Sequence, residues 1–170
     1  MTRQDAPTFR GMTTEEVDAL LERNHVGRIA YSFHDRVDIE PIHYLYADGA
    51  IYMRTAPGTK LVTLAHRPWV AFEVDEVDGP FDWRSVVAHG TVYVLSDVGS
   101  DEARASYQHA LERLRELSPR ALKKNDPVPE RRVLLKLHLS DVAGREARSS
   151  GTPRRVRRPR PARSARASGG

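Results

Sequence analysis

The chain has no cysteine. A disulfide framework, a thiolate metal site and a redox-active thiol are therefore all excluded, and any redox chemistry would need a bound cofactor. Seven histidines are present, at His25, His34, His43, His66, His89, His109 and His138, yet none forms a His-x-x-x-His pair. Without that spacing, and without thiols, no zinc set is expected and metal catalysis is not supported. A glycine-flanked nucleophile elbow is missing, and so is the Gly-x-Gly-x-x-Gly fingerprint, which removes the usual signals of an acyl-transfer serine and of a Rossmann nicotinamide site. Long apolar runs are absent too, including behind Met1-Thr2-Arg3-Gln4-Asp5. The expectation is a cytoplasmic protein that neither crosses nor partners a membrane.

What is present is unevenly charged. The 170 residues carry 27 basic and 23 acidic groups, but nine arginines and a single glutamate lie from Gly144 onward. Residues 1–143 are left with 18 basic against 22 acidic groups, a net of −4. A nucleic-acid binder should carry its basic footprint on the folded surface, so none is expected here beyond weak contacts from the tail. The length fits one domain with a real core. The division expected is a flexible amino terminus over 1–10, a folded domain over 11–145 and a disordered Arg/Pro-rich tail over 146–170, where too little apolar surface exists to offset ordering entropy.

Within the domain, Thr13 and Glu16 have capping-box spacing, and Val17, Leu20 and Leu21 continue as a helical stripe. Short runs rich in β-branched and aromatic residues follow, punctuated at Asp35-Arg36, Asp48-Gly49 and Asp78-Gly79-Pro80. They predict antiparallel strands near 27–34, 37–46, 50–55, 69–76 and 84–95, and a last strand over 132–139. Helices are predicted over 59–66 and 101–117. No internal repeat appears. Many strands with few helices describe a mainly β, α+β domain built as a small barrel.

The densest chemistry lies in Arg54-Thr55-Ala56-Pro57-Gly58-Thr59-Lys60. Two hydroxyls, two cations and a glycine gather there at a helix start, and these are the groups that hold an anion. The bland alternatives are that Arg54 and Lys60 are surface cations and that His43 is a strand histidine satisfied by a neighbour. Trp83 and Tyr44 can equally serve the core or an interface, and for Trp83 the core is favoured.

Three stretches carry a resemblance: Pro41-Ile42-His43-Tyr44; Tyr52 through Lys60; and Val70-Ala71-Phe72-Glu73-Val74-Asp75. With Trp83-Arg84-Ser85-Val86 and the closing Asp141-Val142-Ala143-Gly144-Arg145, they make residues 11–146 resemble the pyridoxamine 5'-phosphate oxidase-like FMN-binding split barrels. The branch that includes nitroimidazole-resistance proteins is the nearer likeness. The resemblance implies a six-stranded antiparallel split β-barrel, assembled as a homodimer with FMN at the subunit interface. It puts the backbone of Pro41, Ile42, His43 and Tyr44 along the flavin ring, with His43 a candidate on the substrate side. Arg54, Thr55 and Lys60 would meet the phosphate, and Ser85 and Val86 the ring or ribityl chain.

The function implied is that of an FMN-dependent oxidoreductase, passing electrons from a reduced nicotinamide to a small organic acceptor, of which nitroaromatics are one form. The alternatives are a split barrel that uses F420 or haem, and a flavin-binding module without turnover. The paired Arg and His that clamp pyridoxal phosphate near the carboxyl end of a full oxidase have no match, so that activity is not expected.

Overall fold

The structure is a computed structural model that describes residues 6–150. Its elements run β1 (Thr8–Gly11), α1 (Thr14–Arg23), β2 (Val26–Phe33), β3 (Arg36–Ala47), β4 (Ala50–Thr55), α2 (Thr59–His66), β5 (Trp69–Gly79), β6 (Asp82–Val94), α3 (Asp101–Leu117) and β7 (Val133–Arg148). The strands form one antiparallel sheet in the order β1-β7-β4-β3-β2-β5-β6, and a β7–β6 pairing closes it. Six strands thus make the barrel, and β1 lies along the outer end of β7, from Thr8↔Arg148 to Gly11↔Arg145.

The pleat sends alternate side chains inward. Ile29 and Tyr31 of β2, Ile42 and Tyr44 of β3, Ile51 and Met53 of β4, Phe72 and Val74 of β5, and Leu135 and Leu137 of β7 form the interior cluster. Helix α1 plugs one end. Its capping box is complete, with Thr13 accepting from the Glu16 N–H and Glu16 accepting from the Thr13 N–H. Val17, Leu20 and Leu21 join the interior, and the Tyr44 hydroxyl donates to the Leu21 carbonyl at 2.9 Å. Helix α3 packs outside instead, laying Ala110, Leu111 and Leu114 on Ala50, Tyr52 and Leu134. The Asp48-Gly49 turn between β3 and β4 has φ of 54° and 69°, as a two-residue hairpin requires.

Three sequence expectations change. Residues 8–10 are not a loose end but part of β1. The last strand does not stop at 139: it continues through a register shift near Gly90 to Arg148, taking residues 146–148 out of the expected tail. Burial of Ala147 and a carboxylate anchor account for this extension, since Glu146 is 2% exposed and pairs with Arg10, Arg84 and Arg148. Trp83 is not a core residue. It is half-buried against Phe9 of β1, with ring centroids 6.3 Å apart. Residues 1–5 and 151–170, with most of the expected tail, lie outside the described residues.

Barrel closure sets one tight tolerance. A Cβ at Gly90 would stand 1.9 Å from the His138 carbonyl oxygen of the paired strand, which no rotamer change relieves. Gly90→Ala should therefore destabilise by about 3 kcal/mol, lowering Tm by roughly 6–12 °C. Gly11→Ala, where an added methyl meets nothing within 4 Å, should stay within about 0.5 kcal/mol. Equal effects in thermal unfolding would contradict this account of closure.

A second expectation concerns acid. Arg10 bridges Glu16 and Glu146. Its hydrogen bond, with the Thr13 N–H, draws the Glu16 carboxyl from 4.5 down to about 2. For Glu146, burial pushes the carboxyl up, but Arg148 and Arg84 outweigh it and the net direction is down. Both carboxyls are more acidic folded than unfolded, so their contribution is present above pH about 4.5 and lost as pH falls through the folded values. Amide exchange in 8–11 should rise between pH 4.5 and 2, and Glu16→Gln should remove much of that dependence.

Candidate functional site

The barrel is split where β3 outruns β4. These strands pair only from Tyr44↔Met53 to Ala47↔Ala50, whereas β2 pairs β3 from Val26↔His43 to Phe33↔Arg36. The Pro41–His43 stretch therefore has a strand on one side only, among the described residues. The Tyr44 N–H donates to the His25 carbonyl at 3.0 Å, on the β2 side. By strand alternation, the main-chain groups of Pro41 and His43 face the open edge. Proline has no N–H, so the one main-chain donor that these two residues can present to that edge is the His43 amide.

At the same seam β4 ends in Thr55, and the chain turns through Ala56-Pro57-Gly58 into α2. Gly58 caps α2 without any side-chain hydrogen bond, leaving the first N–H groups of the helix unspent by a cap. Thr55 is 5% exposed. Lys60 Nζ lies 2.7 Å from Glu40 Oε2, and the Tyr31 hydroxyl donates to Glu40 Oε1 at 2.6 Å. These two bonds, the lysine's first, hold the Glu40 carboxyl below its usual range. Burial, then the Glu40 carboxylate, pushes the Tyr31 phenol up.

The expected site residues divide into three groups. Pro41, His43, Thr55 and Lys60 come together at the seam. Ile42, Tyr44 and Val86 are interior, with side chains in the barrel core, so only their main chain can meet a ligand. Burial drives the Tyr44 phenol well above its usual range. Ser85 stands apart: it is paired with Asp75 on β5, and its hydroxyl donates to Glu73 at 2.9 Å. From β6 to β3 is three strand spacings, about 14 Å, so one copy of the chain does not bring Ser85 to Pro41.

Arg54 is the unexpected case. Its guanidinium forms a two-pronged pair with Asp126, at 2.5 and 3.1 Å, and the two side chains are 9% and 1% exposed. Asp126 also accepts from the N–H groups of Leu122 and Val128, and Arg54 first, then these bonds, hold its carboxyl far below the usual range against the opposing effect of burial. Leu122 sits at φ 56°, a left-handed conformation that costs about 1–2 kcal/mol and is kept by the Asp126 bond. The pair thus fastens the segment 118–132 to β4. Sequence reasoning missed Asp126 and, further along, Arg131, whose Nη1 reaches His43 Nδ1 at 3.4 Å. Asp126-Pro127 is a turn signal, but nothing local to it points at Arg54, 72 residues away.

A cavity of about 490 Å³ opens beside α1 among Met12, Val17, Tyr46 and Val142, and none of the seam residues lines it. Among the described residues no helix is long and apolar enough to cross a membrane. The donors at the seam suit an anion that carries an attached flat or extended group. Uncapped helix N–H groups, the threonine hydroxyls and Lys60 serve the anion, and the Pro41–His43 edge can hydrogen-bond the rest.

Comparison with known proteins bears on the fold and the family. A crystal structure of a FAD-binding protein from Mesorhizobium loti superposes with a TM-score of 0.66 at 26% identity, covering 82% of this chain and 99% of that one. A 5-nitroimidazole antibiotic resistance protein proposed for Bacteroides thetaiotaomicron shares the fold, with a TM-score of 0.64 at 13% identity over 84% of this chain and 89% of that one. An uncharacterized protein of Rhizobium meliloti is 28% identical over 81 residues, 48% of this chain. The match spans about half of that curated relative's length, 54%. The family model described as pyridoxamine 5'-phosphate oxidase matches residues 13–146, nearly the whole barrel. With its antiparallel split barrel and the seam between β3 and β4, the chain belongs to the pyridoxamine 5'-phosphate oxidase family.

Proposed function

We propose that the chain binds a flavin nucleotide at the seam and passes electrons from a reduced nicotinamide to a small organic acceptor. The observation that carries this reading is the open Pro41–His43 edge standing next to Thr55, the uncapped start of α2 and Lys60. The FAD-binding relative at 26% identity supports it. FMN is the portion of FAD that a phosphate corner beside a ring edge would grip, so FMN is the ligand proposed. Bound flavin supplies the two-electron chemistry. The chain's part is to hold the phosphate, present hydrogen-bonding main chain to the ring and shape the acceptor's access. His43 lies at that edge and is the side chain proposed to face substrate.

Two copies are proposed to share the work. On the outer face of β3, β2, β5 and β6 lie Val37, Ile39, Trp69, Val87 and Tyr93, all exposed, with Val37 74% and Ile39 66% exposed. Arg28, Glu73 and His89 stand among them on the same face, and apolar side chains exposed together on one sheet face are proposed as an interaction surface. A second copy docked by two-fold symmetry buries it, and brings that copy's β6, with Ser85, toward the first copy's Pro41–His43 edge. This gives Ser85 a place near the flavin that it lacks within one copy.

The purified protein should show flavin absorption bands, or acquire them on titration with FMN. Lys60→Ala should weaken FMN binding by roughly ten- to a hundredfold, the value of a charged hydrogen bond of about 1.5–3 kcal/mol. Unchanged affinity in that variant would remove the phosphate assignment, and a protein that stays colourless yet binds F420 would replace the flavin. Ile39→Asp should shift sedimentation from dimer to monomer and weaken FMN binding with it. A wild-type chain that sediments as a monomer at micromolar concentration rules out the shared site.

A further inference from the structure

We propose that Arg131 is a phosphate-binding residue of the site, filling the role that the family resemblance gives Arg54; this rests on the flavin-nucleotide reading. At the seam Arg54 is neutralised by Asp126, and Lys60 faces Glu40. Those four groups sum to zero, so their formal charges alone give a phosphate dianion no net attraction. Among the described residues Arg131 forms no ion pair, and its guanidinium contacts the His43 ring instead.

Position supports the same assignment. Strand β4 ends at Thr55 opposite Val133, so continuing the antiparallel register sets residue 131 beside the Ala56–Gly58 turn that leads to Lys60. Its contact with His43 places the guanidinium at the open edge of β3 as well. Arg131 therefore lies where the turn, the ring edge and the start of α2 converge. Guanidinium is also the better cation here, because its planar fork can meet two phosphate oxygens at once.

The segment that bears Arg131 is held from below. The Arg131 N–H donates to the Val128 carbonyl at 3.0 Å, the Val128 N–H donates to Asp126 Oδ1 at 3.1 Å, and Asp126 is clamped by Arg54. Arg115 Nε adds a bond to the Ala121 carbonyl at 3.1 Å, tying the same segment to α3. Arg54 is then a positioning residue. It acts on the phosphate through Asp126 and the 118–132 segment, not by touching the ligand.

The test is titration of the full chain with FMN, FAD and riboflavin, followed by flavin fluorescence, for wild type, Arg131→Ala and Arg131→Lys. Riboflavin has the ring but no phosphate. Arg131→Ala should weaken FMN and FAD by about tenfold or more, the value of a charged contact, and leave riboflavin unchanged. Arg131→Lys should recover part of the loss. FMN affinity within twofold of wild type in Arg131→Ala, while Lys60→Ala loses its share, overturns the assignment and leaves the flavin reading standing. A wild-type chain that binds none of the three overturns both. Arg54→Ala should speed amide exchange across 118–132 as well as weaken FMN; weaker FMN binding with unchanged exchange would mean that Arg54 touches the phosphate itself.

Discussion

Closure through β7 is the constraint on which the remaining structure depends. This strand pairs with β4 through Thr55↔Val133, with β6 through Trp83↔Ala147, and with β1 beyond the barrel. Backbone groups buried in a barrel must find partners, and a closed ring satisfies them without leaving an edge. The ring can close only because residue 90 has no Cβ where the two chains approach. The carboxyl end of the same strand carries Glu146 inward, and three arginines gather around it. What reads in the composition as the beginning of a polar tail is thus a fastening point for β1 and the rim of the barrel.

Closure on one side makes the gap on the other useful. With β7 fixed against β4, β3 runs past the end of β4 and exposes the Pro41–His43 edge. A free edge is normally a liability, inviting pairing with another chain. Here it has proline at one position and sits under an apolar outer face, so the same surface serves a ligand and a second copy in the function proposed. The neighbouring ion pairs have unequal character. Arg54–Asp126 is enclosed, two-pronged and reinforced by two main-chain donors, and it reads as architecture. Lys60–Glu40 has a partly exposed carboxylate, 42%, and a single contact, so an arriving phosphate can compete for the lysine.

Much of the fold was legible. Capping at Thr13 and Glu16, the turn at Asp48-Gly49 and the β-branched runs around Ile29, Ile51 and Phe72 each act over a few residues, and local signals of that kind survive in one dimension. The spans 59–66 and 101–117 match α2 and α3 as predicted. The errors lie at the ends, in β1 and the last nine residues of β7. Neither has a strong periodic pattern, because their strand conformation comes from distant partners: β1 pairs residues 145–148, and residues 141–147 also pair with β6 from His89 to Trp83. Trp83 went astray for the same reason: its neighbour is Phe9, on a strand that only β7 holds in place.

For the site, the sequence alone determined the inventory: no thiol, and two threonines with a lysine, Thr55, Thr59 and Lys60, gathered at a helix start. It also carried the family resemblance, since contiguous motifs keep their residue types and spacing. Tertiary structure decided how those residues are spent. Arg54 looks like a ligand cation until Asp126 is seen against it, and Ser85 looks like a neighbour of Pro41 until the two strands between them, β2 and β5, are counted. Arg131 carries no motif at all and comes into view only through the register of β4 on β7. Charge is a property of a residue, but free charge is a property of its surroundings, and those are assembled only when distant segments pack.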